Sequence, residues 1–272
     1  EYTAEDFIVD EDNVVLVSRD GWVKRQKEVK DVAATRIREG DTVLAVLPGS
    51  TRATVVFFSS AGVAYSARIA DLPASTGYGE PIQRFFKLRD GERIVAALSL
   101  DPRVSGVITA KKEGDVPPVH ALAVTSDGYS LRFSLEPLAE PSTRAGRRYA
   151  RTAEQAEVVG VSRVTGSETV IAATREARAM LSPIEEVNFL SGPGRGVILI
   201  KLDPPDRVLG FIASVGDRDL MTVETTRGAE QTISTTKYDV TGRGGKGREL
   251  LQRGQFTRVI WPVPEAPAPL GE

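Results

Sequence analysis

One pattern recurs five times in this chain: an apolar, β-branched run, then Ser or Thr, a short step, usually Gly, and a second alternating run. The copies are Val15–Arg25, Val56–Ser66, Leu122–Arg132, Ile171–Leu181 and Met221–Ile233. Steps such as Ser-Arg-Asp-Gly and Thr-Ser-Asp-Gly between apolar runs read as hairpin turns, with Gly supplying the positive φ. The turn residues Gly21, Gly62, Gly128, Ala177 and Gly228 are 41, 66, 49 and 51 residues apart. Hairpins returning every 40–50 residues or so predict an all-β, propeller-type array of several-stranded units.

The remainder of each repeat recurs too. Lys87-Leu-Arg-Asp-Gly-Glu-Arg93-Ile-Val aligns without gaps to Lys201-Leu-Asp-Pro-Pro-Asp-Arg207-Val-Leu. Between the two halves lies a Gly- or Arg-rich loop at 75–79, 143–148, 191–196 and 241–247. The wide interval holds an insertion, Val104 to Val119, with its turn at Lys111–Asp115, and 151–157 is the one helical-looking stretch. The expected organisation is an acidic lead-in over 1–13, four-stranded blades over 14–50, 51–103, 119–167, 168–216 and 217–261, and a tail over 262–272. The tail is Pro-rich, cannot pair in a sheet and is expected to be disordered.

Composition removes several function classes. There is no cysteine and a single histidine, His120, which excludes disulfides, thiolate metal sites and multi-histidine metal sites. His120 opens an apolar run and reads as a strand-end residue. Glu185-Glu186 has no His or metal partner in sequence, so no acid pair for glycoside chemistry can be argued. No run is apolar enough to cross a bilayer and no secretory signal is visible, so a cytoplasmic location is expected, with no membrane partner. The net charge is −2, but residues 1–15 hold six acids and no base, and residues 16–260 are net +6. A basic body between acidic ends keeps a polyanion in play.

The densest cationic run is Thr241-Gly-Arg-Gly-Gly-Lys-Gly-Arg248. Glycine allows close backbone approach, and Arg or Lys beside bare N–H groups suits phosphate. It is not a nucleotide P-loop, because Lys246 is followed by Gly247 rather than a hydroxyl residue, and no helix is signalled. Equivalent loops carry Arg144, Arg147, Arg148 and Arg195, and in a radial array such slots share one rim, which suits a long polyanion. Lys24, Arg25 and Lys27 after the first hairpin, Arg132 and Arg178 after the third and fourth, and Arg227 in the fifth extend the candidate set. The main candidates remain Arg243, Gly244, Gly245, Lys246, Gly247 and Arg248. Aromatics are few, and Phe57, Phe58, Phe85, Phe86, Trp22 and Trp261 read as blade packing. With no recognition helix and no stacking platform, the expected mode is phosphate contact with bending of the duplex.

At residues 8–262 the chain resembles the C-terminal β-pinwheel domain of the A subunit of bacterial type IIA topoisomerases, DNA gyrase and topoisomerase IV. The resemblance rests on Val14-Val-Leu-Val-Ser-Arg-Asp-Gly-Trp-Val-Lys-Arg25, on Leu72-Pro73 with the loop that follows, and on Arg243-Gly-Gly-Lys-Gly247. It implies a five-bladed β-pinwheel that binds and bends duplex DNA around its rim and acts as a monomeric, non-catalytic domain without a cofactor. The parent enzyme, acting in the nucleoid, would supply the rest of the A subunit with its catalytic tyrosine, and the ATPase B subunit with ATP and Mg.

The sequence departs from the gyrase pattern in one place. Gyrase A subunits carry a Gln-Arg-Arg-Gly-Gly-Lys-Gly box in the first blade. Here only 19 residues separate Gly21 from Gly40, against 29 from Gly62 to Gly91, and the box-like residues stand in the fifth repeat without the leading Gln-Arg. This leans towards topoisomerase IV. Because first and last blades neighbour each other in a ring, the fifth-repeat loop is expected near the first blade.

Overall fold

Five antiparallel hairpins form where the repeats predict them, and each is the centre of a separate sheet in the computed structural model, which describes residues 1–272, the side chain of Glu5 excepted. The turn residues Gly21, Gly62, Gly128 and Gly228 have φ between 81° and 89°. Ala177 fills the same slot at φ 61°, the one non-glycine with positive φ among the described residues.

The chain forms two compact units. The first comprises 1–108, 135–148 and 263–272; the second comprises 109–134 and 149–262. In the first unit, one sheet has the order Val43–Ser50, Asp12–Ser18, Trp22–Gln26, Glu80–Pro81. Its second sheet has the order Ile94–Ser99, Thr54–Ser59, Val63–Arg68, Arg147–Arg148. Between hairpin and third strand, alternation puts Val15, Val17, Val55, Phe57 and Tyr65 into one core with Ile69, Ile82 and Phe86. The Phe86 ring lies 5.1 Å from Tyr65 and 6.3 Å from Phe57, and full burial of each such ring contributes about 2–3 kcal/mol.

The second unit holds three sheets. One has the order Val158–Val164, His120–Thr125, Tyr129–Phe133, with Phe189–Leu190 and Val197–Ile198 both pairing the last strand. The next runs Val208–Ser214, Thr169–Thr174, Arg178–Pro183, Arg248–Glu249, and the fifth has only Phe256–Ile260, Leu220–Thr225 and Glu230–Ser234. The blades are thus four-, four-, five-, four- and three-stranded rather than uniformly four-stranded.

The reason is that the outermost strand of each of the first four sheets comes from the following repeat, and the fifth sheet receives none. Glu80–Pro81 of the second repeat pairs with Trp22 and Val23; Arg147–Arg148 of the third pairs with Val63 and Ala64. Val197–Ile198 of the fourth pairs with Tyr129 and Ser130, and Arg248–Glu249 of the fifth pairs with Arg178 and Ala179. In every case the partners are the first and second residues after the hairpin turn. The donated pair is always preceded by a glycine, Gly79, Gly146, Gly196 or Gly247, at φ 70–84°. A Cβ on these glycines would fall 2.2, 2.7, 1.9 and 2.5 Å from the carbonyl oxygens of Val23, Ala64, Ser130 and Ala179. Only glycine admits both that φ and that approach.

The first repeat has no such glycine, loop or donated pair. Its residues missing between Gly21 and Gly40 are those that carry the donation elsewhere. A short helical turn, Pro102–Ser105, leads into the insertion, and the predicted turn closes through the Asp115 N–H on the Lys112 carbonyl at 3.2 Å. Residues 151–157 form a turn, not a helix. The Pro-rich tail has no regular structure, yet it lies on the first sheet instead of running free. Ala266 packs against Val14, Leu16, Val29 and Val32, and Arg103 donates to the Gly271 carbonyl at 2.7 Å. Prolines keep it out of the ladder but not out of an apolar groove.

Gly196→Ala is expected to cost on the order of 3 kcal/mol in urea unfolding, because the methyl meets a backbone oxygen that cannot move without breaking the ladder. Gly91→Ala, at φ 79° with open space around it, should lose only about 1 kcal/mol.

Candidate nucleic-acid interface

The cations singled out in the sequence divide into two classes. Lys24 is buried at 3% exposure, and its ammonium donates to the carbonyls of Arg36 and Gly77, both at 2.8 Å. Burial, and then the nearby Arg36 charge, hold its pKa below the ordinary lysine value. Arg25 donates from Nε to the Leu72 carbonyl at 2.7 Å and from Nη1 to Asn13 Oδ1 at 2.8 Å. Arg132, at the equivalent place in the third repeat, donates from Nε to the Val187 carbonyl at 2.7 Å and sits 3.3 Å from His120 Nε2. These three, candidates for the DNA contact by their sequence, each satisfy a carbonyl of the segment arriving from the next repeat, at Gly77, Leu72 and Val187, and Lys24 also holds Arg36 of its own repeat. Alternating strand patterns do not distinguish such a staple from a solvated strand end.

His120 is fully buried, with Nδ1 3.0 Å from the Pro117 carbonyl and its ring edge-on to Phe189. Burial is the main reason its pKa lies below the ordinary value, so the ring is neutral at pH 7 and fixed in place.

The second class stands at the outer edges. Beside the second sheet, Arg144 and Arg148 are exposed and donate to the carbonyls of Arg84 at 3.1 Å and Ala61 at 3.2 Å. Arg147 is half-buried and donates to the carbonyls of Glu140 and Pro141. Beside the third sheet, Arg195 lies 3.8 Å over the Tyr129 ring and pairs with Asp127 at 2.9 Å. Arg178 is half-buried on the fourth sheet, across the ladder from Glu249. Lys27 is exposed beside the tail, and Arg227 is exposed at the fifth hairpin.

The 241–248 loop is held by segments of the third and fourth sheets. The N–H of Thr241 donates to Leu181, that of Gly244 to Leu199 at 2.7 Å, and Gly245 accepts from Lys201 at 2.8 Å. Arg243 uses Nε and Nη1 on the carbonyls of Glu186 (2.7 Å) and Ile198 (3.1 Å), which leaves its Nη2 edge outward. Lys246 is exposed, 3.3 Å from Asp203, and Arg248 lies 5.5 Å over Tyr238. Gly242 and Gly247 lie against Glu186 and the Ala179 carbonyl, Gly245 stands open, and Arg243, Lys246 and Arg248 are exposed. Such a surface offers fixed charges to a phosphate backbone, while the N–H groups of residues 241–244 are already donated to Leu181, Glu186 and Leu199.

Two cations escape the sequence reading. Arg38 lies 4.6 Å over the Trp22 ring and Arg36 lies 5.6 Å over Tyr78, giving the first sheet an exposed arginine pair where it has no glycine–cation loop of its own. The Arg-Ile-Arg alternation was the available signal. Trp22 is only half-buried, and Trp261 is 37% exposed. By contrast Phe57 and Phe58 are fully buried, as expected.

A family model for the DNA gyrase C-terminal domain, beta-propeller, matches residues 53–101, 120–165 and 168–214, just over half of the chain. The chain belongs to this family. The matched segments are the three repeats that both donate a strand and receive one. The gyrase A protein of Aminobacterium colombiense is 30% identical over 96% of the chain, which spans 32% of that protein. The chain thus covers about a third of the length of such relatives. The C-terminal domain of a DNA topoisomerase IV superposes with a TM-score of 0.78 at 19% identity, covering 93% of this chain and 78% of the other. The E. coli ParC C-terminal domain gives 0.69 at 21% identity, covering 93% and 100%. These likenesses establish the β-pinwheel fold. Among the described residues no helix is long and apolar enough to cross a membrane, and no cluster of His, Asp and Glu could hold a metal.

Lys24→Met should destabilise the chain by about 1–3 kcal/mol in chemical denaturation, since two buried carbonyls lose their donor, whereas Lys27→Met should stay within about 0.5 kcal/mol. Because the folded pKa of His120 is depressed, stability should be level above its unfolded value of 6.5 and fall as pH drops below it towards the folded value. His120→Gln should abolish that slope in pH-dependent melts.

Proposed function

We propose that this chain holds duplex DNA against the cationic outer edges of its sheets and bends it, presenting a segment to the strand-passage core of a type IIA topoisomerase. The observation that carries this reading is the recurrence of glycine–cation segments at one register position, beside the second, third and fourth sheets, with Arg144, Arg148, Arg195, Arg243, Lys246 and Arg248 exposed. Cations at equivalent places track a repeating polyanion, and nothing in the arrangement reads base edges, so affinity comes from counterion release. Chemistry, ATP and Mg belong to the B subunit and to the rest of the A subunit, in the cytoplasm at the nucleoid. The absence of a glycine–cation loop from the first repeat supports a topoisomerase IV-like parent that relaxes and decatenates.

Titration of the domain with linear duplex should give an affinity that falls steeply with salt between roughly 50 and 200 mM. Arg243→Glu/Lys246→Glu/Arg248→Glu should weaken binding at every sequence tested and lower the log–log salt slope by about 3. The alternative is a propeller-type protein-interaction scaffold without DNA binding, and a salt-insensitive constant, or no shift of duplex at all, would favour it. In the complete enzyme, a Ser/Gly linker in place of 242–248 should impair decatenation, and unchanged decatenation and supercoiling would remove the loop from the mechanism.

A further inference from the structure

Four of the five sheets are closed on their outer side by a donated pair; the fifth is not. Its hairpin strand Glu230–Ser234 pairs with Leu220–Thr225 on one side, and no strand covers the other among the described residues. The register identifies what is missing. The first and second residues after the turn, which receive the donated pair in every other sheet, are here Ala229 and Glu230. The carbonyl of the turn residue itself accepts a further bond in three sheets, Gly21 from Ile82, Gly128 from Leu199 and Ala177 from Leu250, each at 2.8 Å. Gly228, the fifth, has the same backbone conformation at φ 81°.

Antiparallel alternation fixes the direction of the free groups. Ala229 turns inward, its carbonyl accepting from the Thr225 N–H at 2.8 Å and its N–H donating to Thr225 Oγ1 at 3.2 Å. The N–H and carbonyl of Glu230 therefore point out of the sheet. A hollow of about 630 Å³ borders this edge, lined by Arg227, Ala229, Glu230, Gln231, Leu251 and Arg253 among others, with Glu230 its one acid. The strand is short and exposed at Glu230, so it is an edge that a partner can reach.

We propose that this edge is a β-augmentation site for an extended Gly-Arg-Xaa segment of another polypeptide. The four internal donors specify the backbone of the occupant: a left-handed glycine seated on the carbonyl of the second residue after the turn, followed by two paired residues. Charge specifies the side chain. The residue after the glycine stands opposite Glu230, where Val23, Ala64, Ser130 and Ala179 are uncharged, and an opposite-charge pair is favoured directly across a ladder. This inference stands apart from the DNA reading, since it uses the one hairpin edge that no donated glycine strap covers.

The test uses the full 272-residue chain and a fluorescent synthetic peptide with the sequence of residues 141–150, which carries Gly146-Arg-Arg. Saturable binding is expected, with new amide protection at Glu230. Changing the peptide glycine to alanine should abolish it. Glu230→Pro removes the outward N–H, a change edge strands tolerate, and should eliminate binding while the thermal transition persists. Glu230→Lys should weaken the Gly-Arg-Arg peptide at least tenfold and favour a Gly-Glu-Glu version. Absence of binding, or binding indifferent to Glu230→Pro and to the peptide glycine, overturns the proposal. So does a concentration-dependent dimer that Glu230→Pro dissolves, because that would assign the edge to a second copy of this chain.

Discussion

Everything regular in this fold depends on a glycine seated against a carbonyl oxygen of another repeat's hairpin. At Gly79, Gly146, Gly196 and Gly247 the backbone turns left-handed and comes so close to the neighbouring strand that no side chain fits. Two residues then complete the ladder. Each such ladder bond is worth only about 0.5–1.5 kcal/mol net, but the contact is made by four of the five repeats and always backwards along the chain. The hairpins supply apolar cores; the glycines decide which hairpin each strap serves.

The cations follow from that arrangement. A strap that leaves its own repeat exposes carbonyls that the next strand cannot satisfy, and Lys24, Arg25 and Arg132 are spent on them. Arg144, Arg148, Arg195, Arg243, Lys246 and Arg248, in contrast, lie on or next to the donated segments and stay exposed. The same loop therefore closes a sheet with its backbone and charges the edge with its side chains. Arg243 shows the two duties meeting in one residue, with two donors tied to carbonyls and one edge of the guanidinium left over.

The all-β class, the five hairpins and their turn residues are legible because a period-two pattern ending in Ser/Thr and Gly has one local solution. Even Ala177 is placed correctly by the repeat, although an alanine at φ 61° has no propensity to be there. Ownership of the glycine loops is not legible. Propensity and spacing place a loop in the repeat that encodes it, while pairing across repeats is a tertiary choice made by a two-residue contact. For the same reason Lys24 and Arg25 look like surface charge in the sequence, and Arg36 and Arg38, whose value lies in the aromatic rings beneath them, do not stand out. The tail defies expectation because proline signals the lack of a ladder, not the lack of a partner.

Backward strand donation also changes what counts as a part. A cut at the boundary of a sequence repeat leaves one sheet with an open edge and another with a strand it has nowhere to put. The transferable piece runs instead from one donated pair to the next, so that a hairpin travels with the glycine strap that seals it. Duplication or loss of blades in such a chain is then tolerated only at that offset frame, and the ends of the array, where the frame is incomplete, are where relatives are freest to differ.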